Sequence, residues 1–382
     1  MIYLDHNASS PLDDRVVEAI QPYLKSFFGN PSSLHRLGRL SRGAIDQARE
    51  QVAQLVGASA SQVVFTSSGT EANNLAIQGW ASANPTGSIV AGATEHPSVT
   101  GPVAALARRG RQTGLAPVDT RGLIRCDHLQ ALLDGRPALV SVMSANNETG
   151  VIQDLAGLAA ALEGGGAVMH TDAVQAAGKM EVDFKRLGVG MMSLSGHKIG
   201  APKGVGALVI APGVTLEPML YGGGQETGLR AGTENVAAIV GFGKAAELVR
   251  SELAPRMSRL RRLRDRLENG LAGLAQVTVF AKDSPRLCNT VQFGLAGIDG
   301  ETLVMLLDRA GIALSSGSAC ASGGGEPSPV LNAMGIADDL AKSAVRVSLG
   351  PGNTDAEVDR LLAALTELRQ GNRTNYREVA RT

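Results

Sequence analysis

Residues 62–82 of this 382-residue chain are QVVFTSSGTEANNLAIQGWAS. The run opens with an apolar segment, Gln62–Phe65, that is typical of a strand, and it closes with Thr70–Ser82, whose apolar positions predict a helix. Between the two lies the polar corner Ser67–Thr70. A strand that passes through a short polar turn into a helix is the repeating unit of a mostly parallel sheet covered by helices. This stretch therefore predicts an α/β fold.

The same unit recurs along the chain. Further strands are predicted at Ser88–Ala91, Ala138–Met143, Ala167–His170, Met191–Leu194 and Val205–Ile210, and further helices at Arg36–Val56, Pro97–Arg108 and Asp154–Leu162. A long helical stretch from Asn235 towards Leu274 is expected to break at Pro255, because proline interrupts a helix. After it, strands are predicted at Val277–Phe280, Thr290–Phe293 and Ala344–Leu349, and helices at Glu301–Ala310 and Asp355–Gln370. We expect a large domain over residues 16–255 and a smaller domain formed by residues 1–15 and 256–382.

The composition excludes several classes of protein. The 36 Lys+Arg residues balance the 36 Asp+Glu residues, so the chain lacks the strongly basic character of a nucleic-acid binder. It has neither an 18-residue apolar run nor the basic flank of a signal peptide, so we expect no membrane span. Three cysteines without a C-x-x-C pair indicate neither a disulfide framework nor a thiolate metal cage, and they favour a reduced, cytoplasmic setting.

Polar residues follow five of the predicted strands, at 66–71, 94–96, 146–150, 171–175 and 195–198. Parallel α/β sheets bind ligands at the carboxyl ends of their strands, so these corners face one cleft if the strands are neighbours. The high glycine content, 47 residues, agrees with the tight turns and close backbone approaches of phosphate sites.

Four of these features each allow a functional and a structural interpretation. Ser67–Thr70 could hold an anion such as phosphate at a helix N-terminus, or could be an ordinary N-cap. Asp172 could face a protonated heterocyclic nitrogen or cap a helix. Lys198 could be an amine nucleophile or base in a desolvated cleft, or a solvated surface lysine. His96 could be an aromatic platform for a planar ligand or a partly buried histidine with satisfied hydrogen bonds.

Two glycine-rich segments complete the set of candidates. Residues 221–235 could cradle an anion or form a mobile connector. In residues 315–325, Cys320 stands in a run of Gly, Ser and Ala that does not fit the packed core where free cysteines usually lie. We therefore expect Cys320 to be present for its reactivity, whereas Cys126 and Cys288 adjoin apolar or strand residues and are expected to be structural.

Together these motifs resemble those of the pyridoxal-phosphate-dependent cysteine desulfurases of the nitrogen-fixation and iron–sulfur-assembly type, within the class V aminotransferase group. The resemblance runs almost end to end. It is carried by residues 3–8, 29–33, 65–74, 94–96, 146–148, 170–172, 195–198, 315–320 and 345–350. It implies fold type I of the PLP-dependent transferases: a large domain with a mostly parallel seven-stranded sheet flanked by helices, and a smaller α+β domain.

The resemblance also implies which residues hold pyridoxal 5′-phosphate (PLP). Lys198 would bind it through a Schiff base, Asp172 would pair with the pyridinium nitrogen, and His96 would stack on the ring. The remaining implied contacts are Gln175 and Asn147 at the phenolic oxygen and the ring surroundings, Gly69, Thr70, Ser195 and His197 at the phosphate, and Thr233 from the neighbouring subunit, which implies a homodimer.

On the substrate side, the resemblance implies that Asn7 and Arg346 bind the carboxylate of L-cysteine. Cys320 would attack the substrate sulfur, releasing alanine and leaving a persulfide for an iron–sulfur scaffold or another sulfur-acceptor protein. Lys198, His96 and Cys320 are thus the expected catalytic residues. Cys320 could also be a metal ligand, to a transient [2Fe–2S] cluster shared with a scaffold.

The chain departs from the family pattern at Gly323–Gly325, where relatives carry bulkier residues, and at Asn332, where an arginine is common. Neither position touches the chemistry. Two alternatives remain: a selenocysteine lyase or another class V aminotransferase, for which Cys320 would be dispensable, and a non-catalytic sulfur carrier or scaffold-binding paralogue.

Overall fold

The computed structural model describes residues 1–133, 138–317 and 326–370. Its largest element is a seven-stranded sheet, in which four neighbouring pairs are parallel and one strand, Gly206–Ile210, runs antiparallel to both of its neighbours. In spatial order the strands are Val63–Thr66, Gly206–Ile210, Met191–Ser195, Ala167–Asp172, Ala138–Ser141, Ser88–Gly92 and Thr113–Ala116. The mostly parallel sheet is confirmed, with Thr113–Ala116 as an edge strand that the sequence did not indicate.

The large sheet is buried on both faces, which explains why its strands are continuous apolar runs. Successive residues of one strand point to opposite sides. Val63 and Phe65 belong to one buried cluster, whereas Val64 belongs to the cluster on the other face.

Helices cover these faces. They are Asp14–Lys25, Arg36–Leu55, Gly69–Asn74, Trp80–Ala83, Pro97–Arg108, Cys126–Ala131, Leu155–Leu162 and Phe184–Leu187. The four that the sequence predicts in this part of the chain are present, and Asp14–Lys25, Cys126–Ala131 and Phe184–Leu187 were not predicted. A π-helical turn, Leu75–Gly79, joins the helix Gly69–Asn74 to the helix Trp80–Ala83. The helix predicted over 70–82 is therefore continuous, but its middle turn has π-helical instead of α-helical hydrogen bonds. Short 3-10 turns lie at Ala60–Gln62 and Gly196–Lys198.

The predicted break at Pro255 is wrong, because one helix runs from Val236 to Ala272 with this proline inside it. An internal proline costs a helix about 3 kcal/mol, but here both halves of the helix are anchored by packing. Residues Ala238–Val249 pack in the core beside the large sheet, and Leu260–Leu271 pack in a second core. Tertiary burial of both halves outweighs the local penalty.

The second core lies against an antiparallel four-stranded sheet. Its strands in spatial order are Ser315–Ser316, Ala344–Ser348, Thr290–Leu295 and Val277–Val279. The helices on this side are Gly300–Arg309, Pro329–Ala333, Asp338–Lys342 and Asp355–Gln370. The division into domains at residues 15/16 and 255/256 stays a prediction.

The first residues of the chain connect the two halves of the molecule. Ile2–Tyr3 pairs in parallel with Ile312–Ala313, and Leu4 is fully buried in the second core. The segment then turns at Asp5, whose backbone carbonyl accepts hydrogen bonds from the backbone N–H groups of Ala8 and Ser9. Asn7 is thereby placed between the small sheet and the carboxyl edge of the large one. Across the described ranges, no helix is both long and apolar enough to cross a bilayer.

Candidate active site

A cavity of about 220 Å³ lies at the carboxyl edge of the large sheet. Its lining residues are Ser68, Gly69, Thr70, Asn73, His96, Ser98, Met143, Asn147, Asp172, Val174, Gln175, Ser195, His197 and Lys198. Nine of the ten residues expected to bind the cofactor are among them, and all five polar corners contribute or adjoin. The expectation that these corners face one cleft is confirmed. The volume suits one small, planar molecule rather than a drug-sized ligand, for which pockets are ≈300–1,000 Å³.

Asp172 is buried, with 6% of its surface exposed, and both of its carboxylate oxygens are engaged. Oδ1 accepts the backbone N–H of Val174 (2.9 Å), and Oδ2 accepts the side-chain amide of Asn73 (2.7 Å). The same amide nitrogen also donates to Ser98 (2.8 Å). The carboxylate therefore caps the turn that follows its strand and lines the cavity as well, so the two interpretations of Asp172 are compatible.

His96 caps the helix Pro97–Arg108 through its ring nitrogen Nδ1, which accepts the backbone N–H of Ser98 (3.1 Å) and lies 2.8 Å from the Ser98 hydroxyl. A backbone N–H can only donate, so Nδ1 is the acceptor and the ring proton sits on Nε2. Burial lowers the pKa of His96 and Lys198 lowers it further, while Asp172 opposes them. At neutral pH the ring is uncharged, as a stacking platform for a cationic ring would need to be.

Lys198 ends the 3-10 turn Gly196–Lys198 that follows the strand Met191–Ser195. Its Nζ donates to the backbone carbonyls of Asn7 (2.5 Å) and Ala8 (2.7 Å). Gly196 is required for this tight turn, because a Cβ there would come within 2.9 Å of Val205 and 3.0 Å of Ala201. The N-terminal segment thus holds the lysine amine at the cavity.

Several hydrogen-bond donors also line the cavity. Ser68 caps the helix that begins at Gly69, so the first backbone N–H groups of that helix have no partner inside it. The hydroxyl of Ser195 is buried and unpaired within the described part of the chain. Burial, with Lys198, Lys203 and Lys179, lowers the pKa of His197 to about 4. Its neutral ring lies 3.3 Å from the Ser9 hydroxyl.

These residues fit PLP on the chemistry of their donors. An orphaned hydroxyl and a helix N-terminus suit a phosphate, a buried carboxylate suits a ring cation, and an amine at a strand end suits a carbonyl carbon. The N-cap interpretation of residues 67–70 is confirmed for Ser68, and it is compatible with an anion at the same helix N-terminus.

The two predicted substrate residues lie beside the cavity rather than in its lining. Arg346 is 4% exposed and donates to Asp5 Oδ1 (2.7 Å) and to the carbonyl of Asn147 (3.0 Å), while its buried Nε meets no acceptor in the ranges described. The side chain of Asn7 is fully engaged: Nδ2 donates to Thr290 and to the carbonyl of Asn147, and Oδ1 accepts from two other side chains.

Two further predicted residues are not in this cavity. Thr233 is exposed on the loop before the long helix, away from the cavity of its own chain. Cys320 lies outside the described residues. Among those that are described, no group of three or more His, Cys, Asp and Glu side chains could hold a metal ion.

Sequence reasoning did not single out Asn73, Ser98 or Met143 as lining residues, and it included Val174 only as part of the corner 171–175. Asn73 could have been found, because it lies on the helix that starts at the phosphate corner and is a buried amide. Ser98 stands two positions after His96, which was identified from the sequence. Met143 is an apolar residue at the end of a predicted strand, and nothing in the sequence distinguishes it from a residue of the core.

Comparisons with known proteins show the family of the chain. The model of the class V aminotransferase family, described as "Aminotransferase class-V", matches residues 2–361. A cysteine desulfurase from Nostoc sp. is 44% identical over 370 residues, which cover 96% of this chain and 92% of that protein. The cysteine desulfurase IscS 1 of Archaeoglobus fulgidus is 41% identical, with 96% of each chain covered.

Among solved structures, the NifS-like protein from Rickettsia africae superposes with a TM-score of 0.89 and 34% identity, covering 97% of this chain and 99% of that one. The chain belongs to the class V aminotransferase family. Its fold is type I of the PLP-dependent transferases, as expected from the sequence.

Proposed function

We propose that this protein is a PLP-dependent cysteine desulfurase that takes sulfur from L-cysteine and stores it as a persulfide on Cys320. The observation that carries the proposal is the gathering of Lys198, Asp172 and His96 around one small cavity. It is supported by full-length relatives named cysteine desulfurase. The balanced reaction is L-cysteine plus the Cys320 thiol giving L-alanine plus the Cys320 persulfide.

When bound, PLP supplies an electron sink for the bonds at the substrate Cα. Lys198 is the residue to which we propose it attaches, and its Nζ, once released, is placed to move the Cα proton. The Asp172 carboxylate would stabilise a positive charge on the ring nitrogen. The neutral His96 ring would serve as the stacking platform for the cofactor.

The other proposed contacts divide between the phosphate and the ring of the cofactor. Ser195, His197 and the N–H groups of Gly69 and Thr70 would hold the phosphate, and Gln175 and Asn147 would contact the phenolic oxygen and the ring surroundings. Arg346 would bind the substrate carboxylate, with its unpaired Nε as the available donor. Because the Asn7 side chain is already engaged by protein groups, we propose that it contributes to substrate binding through the groups it positions.

The sulfur chemistry is assigned to Cys320. Its thiolate attacks the substrate sulfur, the S–S bond forms as the Cβ–S bond breaks, and the electron pair of that bond passes towards Cα and Cβ, which are then reprotonated to give alanine. The persulfide would next be donated to a sulfur-acceptor protein such as an iron–sulfur scaffold. We also propose, at that stage, that Cys320 could ligate a transient [2Fe–2S] cluster shared with the scaffold.

We further propose a homodimer in which Thr233 reaches the phosphate of the partner subunit. Large apolar side chains are exposed at Phe28 (77%), Leu34 (89%) and Tyr221 (81%), and a subunit interface would bury them. The unpaired thiols Cys126 and Cys288 fit a reducing, cytoplasmic location.

A pair of variants tests the desulfurase proposal. Cys320→Ala should abolish alanine and sulfide release from L-cysteine while the visible absorbance of the bound cofactor remains, and Cys126→Ala should behave as wild type. Full activity of Cys320→Ala would favour the selenocysteine lyase or aminotransferase alternative.

The attachment site is tested separately by borohydride reduction of the PLP-loaded protein followed by peptide mapping. The label is expected on Lys198 in the wild type and in the surface control Lys203→Ala, and it should be absent from Lys198→Ala. A wild type that takes up no label would revive the non-catalytic alternative.

A further inference from the structure

A second lysine, Lys179, lies behind the cavity wall and is used by none of the steps above. It stands four residues after Gln175, on the turn that follows the strand ending at Asp172. Only 6% of its surface is exposed. The preceding Gly178 has a φ of +83°, and a Cβ there would lie 2.8 Å from Ile199. That glycine lets the chain turn inward and bury the lysine.

The Lys179 amine donates to two side-chain amide oxygens. Its Nζ lies 2.8 Å from Asn7 Oδ1 and makes a short hydrogen bond to Gln175 Oε1. Burial, the largest cause, lowers the pKa of Lys179 well below its ordinary value, and Lys198 and Arg346 act in the same direction. An amine and an ammonium group both donate, so these two contacts hold in either protonation state.

These contacts decide which way two amides point. With Oε1 of Gln175 turned to Lys179, its Nε2 must face the other way, where it donates to the Asn7 carbonyl (2.9 Å). Gln175 lines the cavity, so the group it can offer to a ligand is an N–H donor and not a carbonyl acceptor. The backbone carbonyl of Asn7 that accepts the hydrogen bond from Gln175 Nε2 also accepts one from Lys198 Nζ.

We propose that Lys179 is a positioning residue for this site: it fixes the amides of Gln175 and Asn7, and through them the donor presented to the ligand and the carbonyl that holds Lys198. The proposal rests on the proposed function in one respect, that the ligand is PLP. Lys179 itself touches neither the cavity nor, by this assignment, any reacting atom.

The Lys198 amine, whose environment is the readout, faces several titratable or charged groups. They are Lys179, on the turn after the strand that ends at Asp172, His96, the N-cap of the helix Pro97–Arg108, and the adjacent His197. Three further charged groups act on these neighbours: Asp172 on His96, Lys203 on His197, and Arg346 on Lys179. A change at Lys179 could thus act directly through charge or indirectly through Gln175. A double-mutant comparison separates the two routes.

The first measurement is the pH midpoint of the visible absorbance change of the PLP-loaded protein. Lys179→Met removes the hydrogen bonds that fix the amides of Gln175 and Asn7, so the loss of the oriented Gln175 N–H donor should raise the midpoint by about 1 pH unit. Lys185→Met, the same substitution at an exposed lysine, should leave it unchanged. In a Gln175→Ala background the Lys179→Met shift should largely disappear. An unchanged midpoint, or an equal shift in that background, would overturn the proposal.

The second measurement is made on the cofactor-free protein. It therefore remains informative if the wild type does not bind PLP, a result that would contradict the proposed function but not the positioning role of Lys179. Backbone hydrogen exchange at residues 7–9 should quicken roughly fivefold in cofactor-free Lys179→Met, the effect of one net hydrogen bond. Lys185→Met should exchange as wild type does. If Lys179→Met does not fold, Lys179→Gln, which keeps one donor, should show a smaller increase. Wild-type exchange in the folded variant would refute the anchoring role.

Discussion

Replacing Asp172 with asparagine separates the hydrogen bonding of this side chain from its charge. Both carboxylate oxygens now accept from donors, the N–H of Val174 at 2.9 Å and the amide of Asn73 at 2.7 Å. Asparagine offers one oxygen and one NH2 group, so in either orientation one donor faces another. Losing a hydrogen bond to a charged group and leaving a buried donor unpaired should together cost about 2 to 4 kcal/mol.

The assay is urea unfolding of the cofactor-free protein at one fixed concentration. With a denaturant dependence of ~3 kcal/mol per M, this loss lowers the unfolding midpoint of Asp172→Asn by about 1 M. The control Asp46→Asn, on an exposed face of the helix Arg36–Leu55, should change stability by less than ~0.5 kcal/mol. An unchanged midpoint in Asp172→Asn would refute the assigned hydrogen bonds.

A second substitution tests the role of the charge. Asn73→Asp added to Asp172→Asn restores a matched donor and acceptor between the two positions, and Ser98 can rotate its hydroxyl to donate to the new carboxylate. We expect the double variant to regain at least half of the lost stability. Desulfurase activity should stay at least ~100-fold below wild type in both variants, because the charge is no longer at position 172. Wild-type turnover by the double variant would refute the requirement for charge at that position.

Two other predictions concern stability. Gly350→Ala would place a Cβ 2.0 Å from the His6 ring, so it should destabilise the protein by about 1 to 3 kcal/mol in urea unfolding, whereas Gly352→Ala, with no neighbour within 4 Å, should be close to neutral. Equal midpoints for the two variants would contradict this. Burial lowers the pKa of His170 to about 3, whereas an unfolded imidazole titrates near ~6.5. The unfolded state therefore binds more protons in between, and stability, fully present above that range, should fall by up to about 1.4 kcal/mol per pH unit on acidification. His170→Gln should flatten this slope, and an unaltered slope would count against a neutral His170.

The parts of the fold that sequence predicts are those decided by neighbouring residues. Strands such as Met191–Ser195 are apolar runs that end in small polar residues, and the glycine at position 69 follows a capping serine. The edge strand Thr113–Ala116 was not predicted, because its sequence, TGLA, contains glycine and has low strand propensity. The continuity of the helix across Pro255 was not predicted either, because its two halves are held by two separate cores whose residues are distant in sequence.

The same distinction applies to the site. Residues 69, 96, 172 and 198 follow strands, so topology alone brings them to one edge. Lys179 gave no signal because its importance depends on Asn7, which is 172 residues away in the chain. The engagement of the Asn7 amide depends likewise on Thr290, from the other sheet. No local pattern encodes such pairs.

Asn7 also explains how the small sheet can influence chemistry that takes place at the large one. Its backbone N–H donates to Ser348 and its amide donates to Thr290, both on strands of the small sheet, while its carbonyl accepts from Lys198. A displacement of the small sheet by even part of an ångström would therefore carry this carbonyl away from the lysine amine, because the hydrogen bond tolerates little stretching. Substitutions at Thr290 should accordingly alter the environment of Lys198 although Thr290 does not line the cavity.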